Sequence, residues 1–171
     1  MVRREPDLGE NLTAKFAWLA EQKFACGWDC GIGWEKILTD FLTTVEQECP
    51  GGKGFEILQV QEKLGTVRFY FALKNVDEAA ARRIYDAETL LDARSLHTCE
   101  ICGKRGRLRS AEGYRFVACD EHAAFEGRIV TTFEPETRYR FLGATERWYD
   151  PDKDAFVQDA PPKPNGENRD G

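Results

Sequence analysis

The sequence predicts an α+β fold: helices packed on a small antiparallel sheet, with a C-terminal β-hairpin. Three observations carry this. Trp34, Ile37, Leu38, Phe41, Leu42 and Val45 form one apolar stripe at helical spacing. From Thr66 to Leu73, apolar and polar residues alternate with period two, the signature of a half-buried strand. Two short cysteine-bearing pairs then interrupt the regular pattern in the second half of the chain. The 171 residues suit one domain, or one with a small appendage, and 42 % hydrophobic residues supply a core.

The first helix is expected over residues 9–25, where Leu12, Phe16, Leu19 and Phe24 recur among Lys and Glu. The segment Cys26-Gly-Trp-Asp-Cys30-Gly-Ile-Gly33 breaks it and reads as a turn between two helices. The second helix runs from Trp34 to about Glu48, where Cys49-Pro50-Gly51-Gly52 stops it. Strands follow at Phe55–Glu62 and Thr66–Leu73, and the short Lys63-Leu64-Gly65 connection makes them an antiparallel hairpin. Val67, Phe69, Phe71 and Leu73 lie on one face; Thr66, Arg68, Tyr70 and Ala72 lie on the other.

A long helix is expected from about Asp77 to Leu96, buried along Ala80, Ile84, Ala87 and Leu91, with Asp77 as N-cap. Towards the C-terminus, Thr137–Leu142 and Glu146–Val157 read as short strands, the second folding back at the Tyr149–Asp154 turn. Residues 160–171 are Pro, Gly, Asn and charge and read as a disordered tail. The expected organisation is a core over 1–96, a metal-binding module over 97–128, C-terminal strands over 129–159 and the tail.

A formal charge of −6 argues against general affinity for nucleic acid or anionic membranes. No run approaches the ~18 apolar residues of a membrane span. The N-terminal residues turn acidic without an apolar stretch, unlike a secretory signal, so a cytoplasmic chain with reduced thiols is expected. Six cysteines then read first as metal ligands, buried groups or reactive thiols.

Cys99-x2-Cys102 and Cys119-x2-His122, sixteen residues apart, make a Cys3His set. Zinc takes four such donors in a tetrahedron, and Gly103 after Cys102 suits the tight turn that aims both thiols inward. A hairpin is expected between the pairs, around Glu112-Gly113, and a helix from Asp120 to about Gly127 carrying the second pair. Knuckle, hairpin and ligand-bearing helix over residues 97–128 resemble a treble-clef zinc finger. Residues 97–128 hold few large apolar groups, so the cation would supply much of the module's stability. Four protein donors leave no open coordination position, which makes the zinc structural. His97, two residues before Cys99, is an alternative fourth ligand.

Cys30-Gly-Ile-Gly-Trp34, Val60-Gln-Glu-Lys-Leu-Gly-Thr-Val-Arg-Phe-Tyr70, and Thr98-Cys-Glu-Ile-Cys-Gly103 with Cys119-Asp-Glu-His122 are similar to a group of small proteins encoded in bacterial genomes and phages. That group carries Asp where this chain has Ile32 and Gly where it has Thr66. The resemblance implies a shape and a bacterial or phage origin. It brings no established activity and no catalytic residues.

Other groups of residues support competing readings. Gly31-Ile32-Gly33 before a helix could cradle phosphate, but lacks a third glycine and a following Gly-Lys-Ser/Thr. Cys26 and Cys30 could form a redox pair, a second metal site with Cys49 and His97, or a thiol nucleophile with His97; small buried hydrophobes are the ordinary reading. Lys104, Arg105, Arg107 and Arg109 form a basic run. Residues 94–128 hold seven basic and five acidic groups, a local +2 that leaves −8 elsewhere. This face could contact nucleic acid, extended by Arg68 and Tyr70, or could be a solvated hairpin. The expected function is a non-enzymatic macromolecular interaction protein with a structural zinc and a protein partner. Nucleic-acid binding through the basic run and thiol chemistry at Cys26 and Cys30 are the alternatives.

Overall fold

The computed structural model describes residues 7–135, 137–141 and 146–158, which fall into two compact units divided after Pro135. The architecture is α+β, with three α-helices and three small sheets among the described residues.

In the first unit, α1 (Leu8–Lys15) starts where the Asp7 carboxylate accepts the Glu10 N–H. The helix expected over 9–25 ends early. The backbone turns out of helical geometry at Phe16 (φ −127°) and continues as a 3-10 turn, Ala17–Glu21. Leu12, Phe16 and Leu19 are all buried, and the break lets them share one core.

The Cys26–Gly33 segment holds a strand that its sequence does not announce. β1 (Ala25–Asp29) runs parallel to β2 (Phe55–Lys63). Ala25 pairs with Gln59 and Trp28 with Val60, so Cys26 and Gly27 bulge out, both at φ +62°. A two-residue bulge destroys the period-two alternation by which a strand is read.

A 3-10 turn, Ile32–Trp34, leads into α2 (Glu35–Glu48), and the whole stripe from Trp34 to Val45 is buried as expected. β2 and β3 (Thr66–Leu73) pair antiparallel about Leu64 and Gly65, at φ +56° and +84°. The sheet order is β1-β2-β3. Its inner face meets α2 through an aromatic cluster, with ring centroids 4.8 Å apart for Phe41–Phe69 and 5.0 Å for Phe55–Phe71. α3 (Glu78–Ser95) is capped by Asp77, whose carboxylate accepts the N–H groups of Ala79 and Ala80. Arg83 on α3 is forked onto Glu48 at the end of α2 at 2.6 and 2.7 Å.

The chain after α3 builds a second sheet, order β5-β4-β6, from β4 (Arg107–Ala111), β5 (Tyr114–Ala118) and β6 (Val130–Phe133). The expected hairpin is β4–β5; β6, pairing along the other edge of β4, was not anticipated. The helix expected over 120–127 is absent. A 3-10 turn, Asp120–His122, takes its place. Phe125 stacks on Tyr114 and Phe116, with centroids 5.1 and 5.2 Å away, and Glu126 and Gly127 take positive φ (+46° and +74°) to reverse the chain into β6. Burying one aromatic ring against β5 outweighs propagating one short helix.

The second unit is an antiparallel sheet of order β7-β8-β9, made of β7 (Arg138–Arg140), β8 (Glu146–Asp150) and β9 (Ala155–Val157). In the β8–β9 turn, Asp150 accepts the N–H groups of Asp152 and Lys153, and Tyr149 O–H donates to Asp154 at 2.7 Å. The tail expected over 160–171 and the end of the first C-terminal strand at Leu142 lie outside the described residues.

Candidate metal centre

The four residues singled out by spacing come together. The Sγ atoms of Cys99, Cys102 and Cys119 and a ring nitrogen of His122 all lie within 4.8 Å of one another, an arrangement that could hold a metal ion. Cys102 Sγ is 3.7 Å from Cys119 Sγ; His122 Nδ1 is 3.2 Å from Cys119 Sγ and 3.7 Å from Cys99 Sγ. A regular tetrahedron with ~2.3 Å metal–sulfur bonds has edges of ~3.8 Å, so the donors stand at the right separation for one small cation. A disulfide needs sulfurs ~2.05 Å apart, and none of the six cysteines is so bonded.

Local backbone explains the convergence. The chain after α3 turns tightly: Cys99 N–H donates to Lys104 O at 2.8 Å and Gly103 N–H to Cys99 O at 2.9 Å, with Gly103 at φ +74°. Glu100 N–H donates to Val117 O on β5 at 3.1 Å, which lays this knuckle beside the strand that delivers Cys119. The 3-10 turn at Asp120 then brings His122 back over the thiols, its N–H donating to Cys119 O at 3.1 Å.

The electrostatics differ from thiol to thiol. Burial pushes the Cys99 thiol up, but the backbone N–H groups of Cys119, Cys102 and Ile101 outweigh it and hold Cys99 below its ordinary value. At Cys102 the Lys104 N–H favours the thiolate, yet burial and the neighbouring Cys99 and Cys119 thiols prevail and raise it. Three thiols this close cannot all ionise without a positive charge among them. Cys99 and Cys119 are buried and Cys102 is exposed.

His97 lies outside the cluster. Its backbone N–H donates to Arg94 O and its carbonyl accepts the Gly106 N–H, fixing it in the turn that leaves α3. Cys26 is exposed on the β1 bulge and Cys49 is buried at the end of α2. Cys30 is partly buried, and burial, with Asp29, Glu100 and Glu62 nearby, pushes its thiol up to about 12. Such a thiol stays protonated and unreactive near neutral pH. Among the described residues, no metal-sized group includes Cys26, Cys30 or Cys49.

The basic run divides. Arg109 is 8 % exposed; its Nε donates to Ala118 O at 3.0 Å and its guanidinium meets Asp120 at 2.5 Å. Lys104 pairs with Glu121 at 2.7 Å. Arg105 and Arg107 are exposed. Arg68 pairs with Asp92 of α3 at 3.0 Å, and Tyr70 is 45 % exposed.

The Gly31-Ile32-Gly33 segment does something sequence reasoning missed. The Gly33 N–H is taken by Glu100 O at 2.8 Å, so the segment lies against the knuckle. The CGIGW string marked an unusual turn, but its packing partner sits almost seventy residues away, beyond reach of any local pattern. The hairpin after the knuckle matches the treble-clef resemblance; the ligand-bearing helix which that resemblance implies does not form. No helix among the described residues is long and apolar enough to cross a membrane. In comparisons with known proteins, the chain matches no family model, no curated protein and no solved structure.

Proposed function

We propose that Cys99, Cys102, Cys119 and His122 bind one zinc ion as a structural element, and that the protein works by docking a partner protein rather than by catalysis. The observation that carries the zinc reading is the convergence of the four donors within 4.8 Å of one another: soft ligands, small separation and a closed set suit Zn2+ with no position left for substrate or water. The docking reading rests on the module around the site, which presents Ile101 (50 % exposed), Tyr114 (45 %), Ile129 (85 %) and Phe133 (43 %) to solvent. Exposed apolar groups of this size on a polar chain suit a partner surface. The neutral Cys30 thiol weighs against thiol chemistry. The pairing of Lys104 and burial of Arg109 weigh against a nucleic-acid face.

Elemental analysis of protein purified without added metal tests the first part. One zinc per chain is expected, with loss of folded structure around residues 97–128 when a strong chelator removes it. Protein that carries no metal, takes none up, and melts identically with and without chelator refutes it. For the second part, a double substitution of Ile129 and Phe133 by Lys should leave zinc content and melting unchanged and abolish capture of the partner. Retained capture refutes docking through this surface.

A further inference from the structure

The geometry points to a role for Gly31-Ile32-Gly33-Trp34 as the positioning element of the metal site, so that metal binding and docking of this segment onto the knuckle are one cooperative event. The inference rests on the zinc reading above and concerns how the site is held. Trp34 is fully buried, and its Nε1–H donates to Thr98 O at 2.8 Å; Gly33 N–H donates to Glu100 O at 2.8 Å. These two bonds grip the backbone on both sides of Cys99.

Neither glycine tolerates a side chain. A Cβ at Gly33 would stand 2.3 Å from Cys99 O, 2.6 Å from Gly103 N and 2.7 Å from Cys102 N. At Gly31 it would stand 2.1 Å from Glu100 O, and at Gly103 it would meet Gly33 O at 2.9 Å. Every one of these is a backbone atom, so no rotamer change can relieve the clash. The segment thus sets the peptide planes of the knuckle, and with them the direction of the Cys99 and Cys102 thiols. The dependence runs both ways. A cation that draws Cys99 and Cys102 onto one centre holds the knuckle shut, and with it the surface on which the segment packs. Two events that each favour the same arrangement are linked by equal factors.

Competition for zinc against a chromophoric chelator tests this on wild type, Gly33→Ala, Trp34→Phe and Val60→Ala. Val60 is fully buried in β2, in the same core cluster as Trp34, and serves as a control for general destabilisation of that core. Zinc affinity is expected to fall at least about tenfold in Gly33→Ala and several-fold in Trp34→Phe, from one buried bond lost. In Val60→Ala the melting temperature should fall with zinc affinity unchanged. If Gly33→Ala does not fold, Trp34→Phe decides, together with hydrogen exchange on wild type: the Gly33 amide should exchange at least about tenfold faster once zinc is removed, while amides of the β2–β3 ladder keep their protection. Wild-type affinity in both segment variants, or unchanged Gly33 protection without zinc, overturns this inference alone. A wild-type chain that takes up no zinc overturns the zinc reading and this inference with it.

Discussion

Substituting Arg109 by alanine separates a structural cation from a surface one. Its guanidinium bridges Ala118 O at 3.0 Å and Asp120 Oδ1 at 2.5 Å, tying β4 to the stretch that carries Cys119 and His122. The two partners are unequal. Asp120 is 86 % exposed and rehydrates when the arginine is lost, so its ion pair contributes little. The bond to Ala118 O is buried and charge-assisted, worth about 1.5–3 kcal/mol. The buried aliphatic stem adds about 1 kcal/mol. The sum, about 3 kcal/mol, corresponds to a urea midpoint lower by about 1–2 M for an m-value near 2 kcal/mol/M. Replacing Arg107, exposed at the start of β4, by alanine should change stability by no more than about 0.5 kcal/mol, a midpoint shift of at most about 0.25 M. Urea unfolding of the metal-loaded protein, followed by circular dichroism, measures both. Equal midpoints for Arg109→Ala and Arg107→Ala would refute the reasoning and return Arg109 to the surface face first read from the basic run.

Two further outcomes follow from the titrating groups. Burial, with Asp92 beside it and Arg68 partly compensating, pushes Glu88 up to about 7. A carboxyl whose folded pKa exceeds its unfolded one contributes stability below the unfolded value and loses it as pH rises through about 7. Glu88→Gln should therefore be more stable than wild type at about pH 8, by roughly 1–2 kcal/mol after allowing for partial exposure, with the advantage fading towards about pH 4.5. Thermal melts across that range check it, and a pH-independent difference sinks it. Iodoacetamide at neutral pH should leave Cys30, whose thiol burial holds near 12, unmodified in the native protein while exposed Cys26 is alkylated. Rapid labelling of Cys30, read by peptide mass spectrometry, would instead revive the thiol-enzyme alternative.

Elements whose periodicity is complete within a few turns were legible. The α2 stripe from Trp34 to Val45, the alternation in β3 and the Asp77 cap of α3 each state their structure within a dozen residues. β1 was not legible, because the bulge at Cys26-Gly27 breaks its alternation and its partner β2 begins some thirty residues later. β6 was missed because Val130–Phe133 is short and mostly exposed, so it carries no buried face to read. The helix expected after Cys119 failed because propensity over a few residues is weak beside the stacking of Phe125 on β5.

By itself, the sequence determined that Cys99, Cys102 and Cys119 gather with a histidine, because each ligand pair is spaced by a local turn and the chemistry of Cys and His needs no distant partner to be recognised. Only the tertiary structure decided that His122 and not His97 joins them, that Arg109 turns inward, and that Gly31 and Gly33 clear space for the knuckle. Those outcomes depend on which backbone atoms lie opposite one another across the fold, and close approach between segments far apart in the chain leaves no periodic trace in the sequence.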